Sequence, residues 1–414
     1  MIIYDIAVVG AGPAGIMAAI RSSQLKKNVL LIERNDVIGK KILLTGNGRC
    51  NITNISSLEV FIKNFGKQGT FLKPAFFTFS NHHLIDFFNA KGLIFKTEDK
   101  GRVFPVTNKA FSVVKVLKEY LLENNVTLLY NARVLTLERK DDLFQLELKV
   151  SDHHKVCAEK VILATGGVSY KKTGSSGDGF CIAKKLGHTV IDLSPALIPL
   201  QVEEPWIKTL QGISLKEVRI SIKCGNKNIV SPTGELIFTH FGISGPLVLD
   251  VSSTIVSELA HNKKVMLSID FIPGVNQEQL STRLLSEFNI GRNLQIQSII
   301  KSFLPQRLAS VVMQLLDVDL CTRVHQITKK ERFFIAHLLK CFPLTILGSL
   351  SIDEAMVTNG GISTKEINAK TMESRLVPGL YFAGEIIDGC GKSGGYNLQQ
   401  AFSTGYLAGE NACA

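Results

Sequence analysis

Six residues, Gly10-Ala11-Gly12-Pro13-Ala14-Gly15, carry a spacing that can hold a phosphate: glycines at the first, third and sixth positions, after the apolar run 6–9 and before the alanine-rich stretch 16–24. Gly10 can make a tight turn, Gly12 can let the backbone approach a pyrophosphate, and Gly15 can let a helix lie close to a strand. The helix N-terminus then faces the anion. A second β-rich run, 28–32, ends at Glu33 and Arg34, 18 residues beyond Gly15 for the acid. A carboxylate there accepts hydrogen bonds from ribose hydroxyls and disfavours a 2′-phosphate. Strand, glycine turn, helix, strand and acid read as a dinucleotide site, though the fingerprint alone does not separate FAD from NAD.

Two further segments are too glycine-rich and polar to be core. Residues 39–54, GKKILLTGNGRCNITN, place Gly46 and Gly48 where backbone can approach a ligand, with Lys41, Arg49, Cys50 and Asn51 among them. The cations suit a phosphate or the carbonyl edge of a flavin. Residues 379–397 read as a buried strand ending at Gly384-Glu385, then a glycine loop to Gly395, Tyr396 and Asn397 that opens a helix from about Leu398. A second helix N-terminus of this kind suits the N1/O2 edge, where a reduced flavin carries negative charge. Between them, a strand ending in Ala164-Thr165-Gly166-Gly167 is of the kind that returns beneath a dinucleotide.

A flavin supplies hydride chemistry, so the protein must supply a proton donor. The candidates are His240 in a glycine-flanked loop, Cys50, Cys390 and Tyr396; a packing role is the competing reading for each. The eight cysteines include no C-x-x-C pair and no zinc-like cluster, which excludes disulfide-reductase chemistry and a structural metal and fits a reducing cytoplasm. No second G-x-G-x-x-G follows a strand, so NADH or NADPH is expected to dock transiently rather than in its own domain. No apolar run approaches a membrane span and no basic segment precedes the first strand, so neither a membrane protein nor a secreted one is expected.

In order along the chain, GKKILLTGNGRCNITN (39–54), GRVFPVTNKA (101–110), ATGGVSYKKTGSSGDGF (164–180), GELIFTHFGISGP (234–246) and GLYFAGEIIDGCGKSGGYNLQQAFSTGYLAG (379–409) resemble the YhiN/BaiN-like (RdsA-type) NAD(P)/FAD-dependent oxidoreductases. The resemblance implies an α/β, glutathione-reductase-like Rossmann FAD-binding domain formed by both chain ends; the FAD is expected to be noncovalent despite the cysteine of GRCN. It implies that Ala14, Glu33, Lys41, Gly48 and Arg49 line the cofactor, with Val134 near the adenine and Glu385, Asn397 and Leu398 at the flavin end. Relatives commonly lack a cysteine where Cys390 stands, so its role does not carry over. The family also implies reduction of an electron-poor C=C bond, most directly uridine to dihydrouridine in 23S-type ribosomal RNA. Small-molecule alternatives are an enone reductase and an aminoacetone-oxidase-like amine oxidase; an FAD-stabilised RNA-binding protein is the non-enzymatic one.

The elements that must position these residues divide the 414-residue chain into an FAD domain at 1–190 and 351–414 and an insert at 191–350, β-rich and then helical. Residues 56–91 read as short amphipathic helices whose phenylalanines 76, 77, 79, 87 and 88 are expected in the core. The net charge of +11 is concentrated at residues 1–110, which carry 15 Lys/Arg against 7 Asp/Glu. That excess suits a polyanion partner.

Overall fold

A computed structural model describes residues 3–150, 153–224, 227–261, 263–319 and 321–414. It divides into two compact units, residues 3–196 with 352–414, and residues 197–351.

The first unit is built on a parallel sheet. Strand β1 (Ile3–Val9) pairs with β2 (Val29–Ile32) on one side and with the long strand His153–Leu163 on the other, in registers that set Ile6 beside Val29 and Val9 beside Leu163. Thr127–Leu129 extends the β2 edge, and Leu380–Phe382 runs parallel to the far half of His153–Leu163. The near half pairs with the antiparallel hairpin Arg133–Lys140 and Leu143–Lys149. The runs at β1 and β2 are apolar at consecutive positions because both sheet faces are covered. Ile6, Val8, Leu31 and Leu163 are inaccessible to solvent, each burial contributing about 1.5–3 kcal/mol.

Helix α1 (Pro13–Gln24) and the C-terminal helix Tyr396–Asn411 pack directly on each other. Small residues allow it: a Cβ on Gly405 would sit 2.2 Å from the Ala14 carbonyl oxygen, and one on Gly409 would sit 2.4 Å from that of Ala18. Helices Leu58–Asn64, Gly69–Thr78 and Asn81–Asn89 follow the glycine-rich segment. Phe76, Phe79 and Phe88 are buried there and Phe87 is half-buried, but Phe77 is 76% exposed. It falls on the solvent side because Leu72, Ala75 and Phe76 already fill its helix's inward face.

In the second unit, strands Ser214–Cys224, Gly234–Phe238, Gly242–Ser244, Leu200–Val202, Phe342–Ser349 and Val265–Asp270 pair in that order, and the last returns to pair with the first. The antiparallel ring leaves no free edge among these six. Helices Gln277–Ile290, Ile296–Lys301, Gln306–Leu315 and Lys329–Lys340 form the helical part, sharing one apolar core with the ring.

Candidate cofactor site

The strand–turn–helix at the start of the chain has the geometry its glycines suggested. Gly10 has φ +102°, and a Cβ there would lie 2.6 Å from the Ala164 carbonyl oxygen. One on Gly15 would lie 1.8 Å from the Gly10 carbonyl oxygen. Gly12 differs: its Cβ would meet nothing within 4 Å. It caps α1 without a side-chain hydrogen bond, Pro13 follows, and no acid stands in the first turn. The first amides of α1 therefore remain open to an anion.

These residues wall a cleft enclosing about 1280 Å³, solvent at its mouth included. Gly10, Gly12 and Ala14 line it together with Glu33, Arg34 and Val134. Glu33 is buried and is held in place: Oε2 accepts from Ala11 N at 2.8 Å, and Oε1 accepts from Asn35 N at 2.9 Å and Asn35 Nδ2 at 2.6 Å. Arg34 reaches Gly174 O and the Asp178 carboxylate, both at 3.3 Å. Arg133, at 2.7 and 2.8 Å, holds Asp178 from the strand bearing Val134. The Arg133 hydrogen bonds, aided by Arg34, keep the Asp178 carboxyl below the usual carboxylate range.

Towards the other end, Lys41, Thr165, Gly166, Gly384, Glu385, Asn397 and Leu398 line the cleft. Lys41 Nζ donates to Glu385 Oε2 at 2.7 Å and Ser169 Oγ at 2.8 Å. Glu385 Oε1 accepts from Thr358 N at 2.8 Å and Ser169 Oγ at 2.9 Å. Burial raises the Glu385 carboxyl pKa, but Lys41 and these donors outweigh it and hold the group below its ordinary value. Asn397 exchanges hydrogen bonds with the Gly391 backbone, pinning the glycine loop. Its helix starts at Gly395, φ +96°, again without a side-chain cap or an acid in the first turn.

Several expected residues sit elsewhere. Gly15, Gly46, Gly48, Arg49, Cys50, Asn51 and Gly395 are not on the cleft wall. Gly15 and Gly395 are required by backbone packing, the latter because its Cβ would lie 2.3 Å from Thr53 O. Arg49 is spent on a bidentate pair with Glu98, at 3.1 and 2.7 Å, above the Phe104 ring. The four expected proton donors have these surroundings. Cys50 is inaccessible, and burial pushes its thiol up to about 12. Cys390 hydrogen-bonds Asn359 and is pushed up to about 12 by burial, with Glu385 and Asp388 adding to it. Tyr396 packs edge-on against Phe61, with its hydroxyl 3.1 Å from Ser56 Oγ. His240 lies in the second unit, exposed on the turn after Gly234–Phe238.

Asn35, Arg133, Ser169, Asp178, Thr358 and Gln400 also shape the cleft, with no individual role evident from sequence. Only Gln400 carried a local signal, one helical turn beyond Asn397 on the same face. Its Nε2 and the Thr165 Oγ1 are buried on the cleft wall without a hydrogen-bond partner. Two orphaned polar atoms, an open cradle at Gly12 and two uncapped helix N-termini fit a bound dinucleotide. FAD held here would take its pyrophosphate at Gly12 and its ribose at Glu33.

A Rossmann-type sheet with this cleft defines a dinucleotide-binding fold, which its family and relatives make that of an FAD-dependent oxidoreductase. The family model for the HI0933-like protein Rossmann domain matches residues 4–411, and the chain belongs to that family. It is similar to the 3-dehydro-bile acid delta(4,6)-reductase of Clostridium scindens, 31% identical over 98% of each chain. It is equally similar to the ribosomal RNA dihydrouridine synthase of Escherichia coli, 31% identical over 99% of this chain and 98% of the relative. Among solved structures, 3-ketosteroid delta1-dehydrogenase of Sterolibacterium denitrificans shares the fold, with a TM-score of 0.57 and 13% identity over 99% of each chain. No helix among the described residues is long and apolar enough to cross a membrane.

Proposed function

We propose that this protein reduces uridine to dihydrouridine in large-subunit ribosomal RNA in the cytoplasm, with NADH or NADPH as transient electron donor. The observation that carries the reading is the end-to-end similarity to the Escherichia coli synthase. The basic residues 1–110 support it, since 15 cations against 7 acids favour a polyanion over a small neutral substrate. Bound FAD would supply a hydride to one carbon of the C5=C6 bond, and a proton from solvent would complete the other. The chain's own part is to hold and orient. The α1 amides and Glu33 fix the dinucleotide. Lys41, clamped by Glu385 and Ser169, would offer a fixed cation to a flavin bound at this end of the cleft, and the helix from Tyr396 would add its positive end. A uridine stacked in RNA has to be turned out of its stack to reach that end.

The Clostridium scindens relative supports a second reading, reduction of a conjugated small molecule. Mass analysis of ribosomal RNA nucleosides from cells with and without the gene separates the two. We expect a uridine heavier by about two mass units, as addition of two hydrogens requires, to vanish on deletion and return with wild-type protein but not with Glu33→Arg. An unchanged RNA spectrum, with a yellow protein that oxidises NAD(P)H, would transfer the assignment to the small-molecule reductase.

A further inference from the structure

In the second unit, Ser281 of helix Gln277–Ile290 and Lys329, Lys330, Arg332 and Phe333 of helix Lys329–Lys340 surround a surface hollow. Phe333 is 53% exposed and its neighbour Phe334 47%. The Phe334 ring lies nearly parallel to His337, with centroids 6.2 Å apart. Lys329 and Lys330 occupy the first two positions of their helix, where the helix dipole disfavours cations. Helix stability therefore gives no reason for them. Glu331, the acid between these cations, is turned back to cap the helix, accepting from Thr328 N and Oγ1, both at 2.7 Å. None of the three cations forms an ion pair among the described residues, and the Arg332 Nε is buried without a partner.

Three cations around a hollow outweigh the single charge of Glu331 and recognise phosphates, and an exposed phenyl face beside them recognises a nucleobase. An acidic peptide would use the cations and leave the exposed rings unexplained. The geometry points to a single-stranded RNA site on this helical face, with phosphates on Lys329, Lys330 and Arg332 and a base against Phe333. Its biological role rests on the reading of RNA as substrate. The site holds RNA outside the cofactor cleft and reads it through backbone charge and stacking, with little preference for sequence.

The test uses the FAD-loaded full chain and a short fluorescein-labelled oligouridylate, followed by anisotropy over a range of salt. Lys329→Glu/Lys330→Glu should weaken binding at least about tenfold and flatten the dependence of log K on log salt by about 1.4, the loss of two single-strand phosphate contacts. Phe333→Ala should weaken binding about tenfold and leave the slope unchanged, as loss of a stacked base requires. Both variants should keep wild-type FAD content and RNA-free NAD(P)H oxidation. RNA binding equal to wild type in both variants overturns the inference, even where wild type makes dihydrouridine. Displacement by polyglutamate as effective as by unlabelled RNA overturns it in favour of an acidic protein partner. Binding that depends on these residues supports it, including in a protein that leaves ribosomal uridine unchanged, where the substrate reading alone fails.

Discussion

Gly12→Ala should separate cofactor binding from folding. Gly12 has φ −79° and extended ψ, a conformation open to any residue, and a Cβ there touches no protein atom within 4 Å. The unliganded fold gains about 0.4–1 kcal/mol because the unfolded chain is stiffer. It loses a few tenths to about 1 kcal/mol because alanine caps a helix less well than glycine. The two effects nearly cancel. The methyl group instead enters the cleft at the start of α1, where a pyrophosphate must come within about 2.9 Å of the amides. Displacing it forfeits about two charge-assisted hydrogen bonds at roughly 1.5–3 kcal/mol each, a loss of about 10²–10⁴ in FAD affinity. Gly15→Ala is the opposite case. Its Cβ would sit 1.8 Å from the Gly10 carbonyl oxygen, forcing α1 off the sheet at about 3 kcal/mol or more. Flavin-fluorescence titration of apo-protein, paired with urea unfolding, reads both variants. FAD affinity in Gly12→Ala close to that of wild type, or unfolding as early as Gly15→Ala, would refute the placement of the pyrophosphate.

Three other outcomes follow from the cleft and its surroundings. Lys41→Met should cost about 2–3 kcal/mol at neutral pH, less than for a fully buried pair because both side chains keep about a fifth of their exposure. Wild-type Glu385 has a depressed folded pKa, so its contribution is present above the unfolded value of about 4.3 and fades as pH falls through the folded value. Without Lys41, burial raises the folded pKa, and the variant should instead gain stability on acidification, measured by urea midpoints across that range. Gln400→Met should leave apo-protein as stable or more so, by removing an unsatisfied buried amide, yet weaken FAD binding about tenfold in the same titration. Iodoacetamide at mildly alkaline pH, followed by peptide mapping, should label exposed Cys181 and Cys321 and spare inaccessible Cys50. Early labelling of Cys50 would contradict its placement in the core.

What the sequence made legible is what backbone geometry dictates. Gly10, Gly12 and Gly15 stand where a turn, an open approach and a close contact need them, and those demands are local enough to read from spacing. Glu33 was legible for the same reason, as the end of a strand two elements along. Side-chain destinations across long separations were not. Arg49 lies in a basic, glycine-rich segment that suits an anion, yet its partner is Glu98, and no local pattern distinguishes those choices. Lys41 was expected at the cleft from the family resemblance, but its partners Glu385 and Ser169, far along the chain, were not. Phe77 and Phe76 are adjacent, and only the packing around Leu72 and Ala75 decides which of them faces water.

The contact between α1 and the helix Tyr396–Asn411 bears on how the protein is made. Ala14 and Ala18 emerge from the ribosome hundreds of residues before Gly405 and Gly409, and the sheet waits equally long for Leu380–Phe382. The dinucleotide cleft therefore cannot close until residues 380–411 have been made, and its apolar strands depend on a late partner. A nascent or truncated chain lacking these last elements has no wall at Glu385 and Asn397 to retain flavin. Flavin retention thus reports that the two separated segments of this unit have come together, and fragments lacking the later one should be colourless.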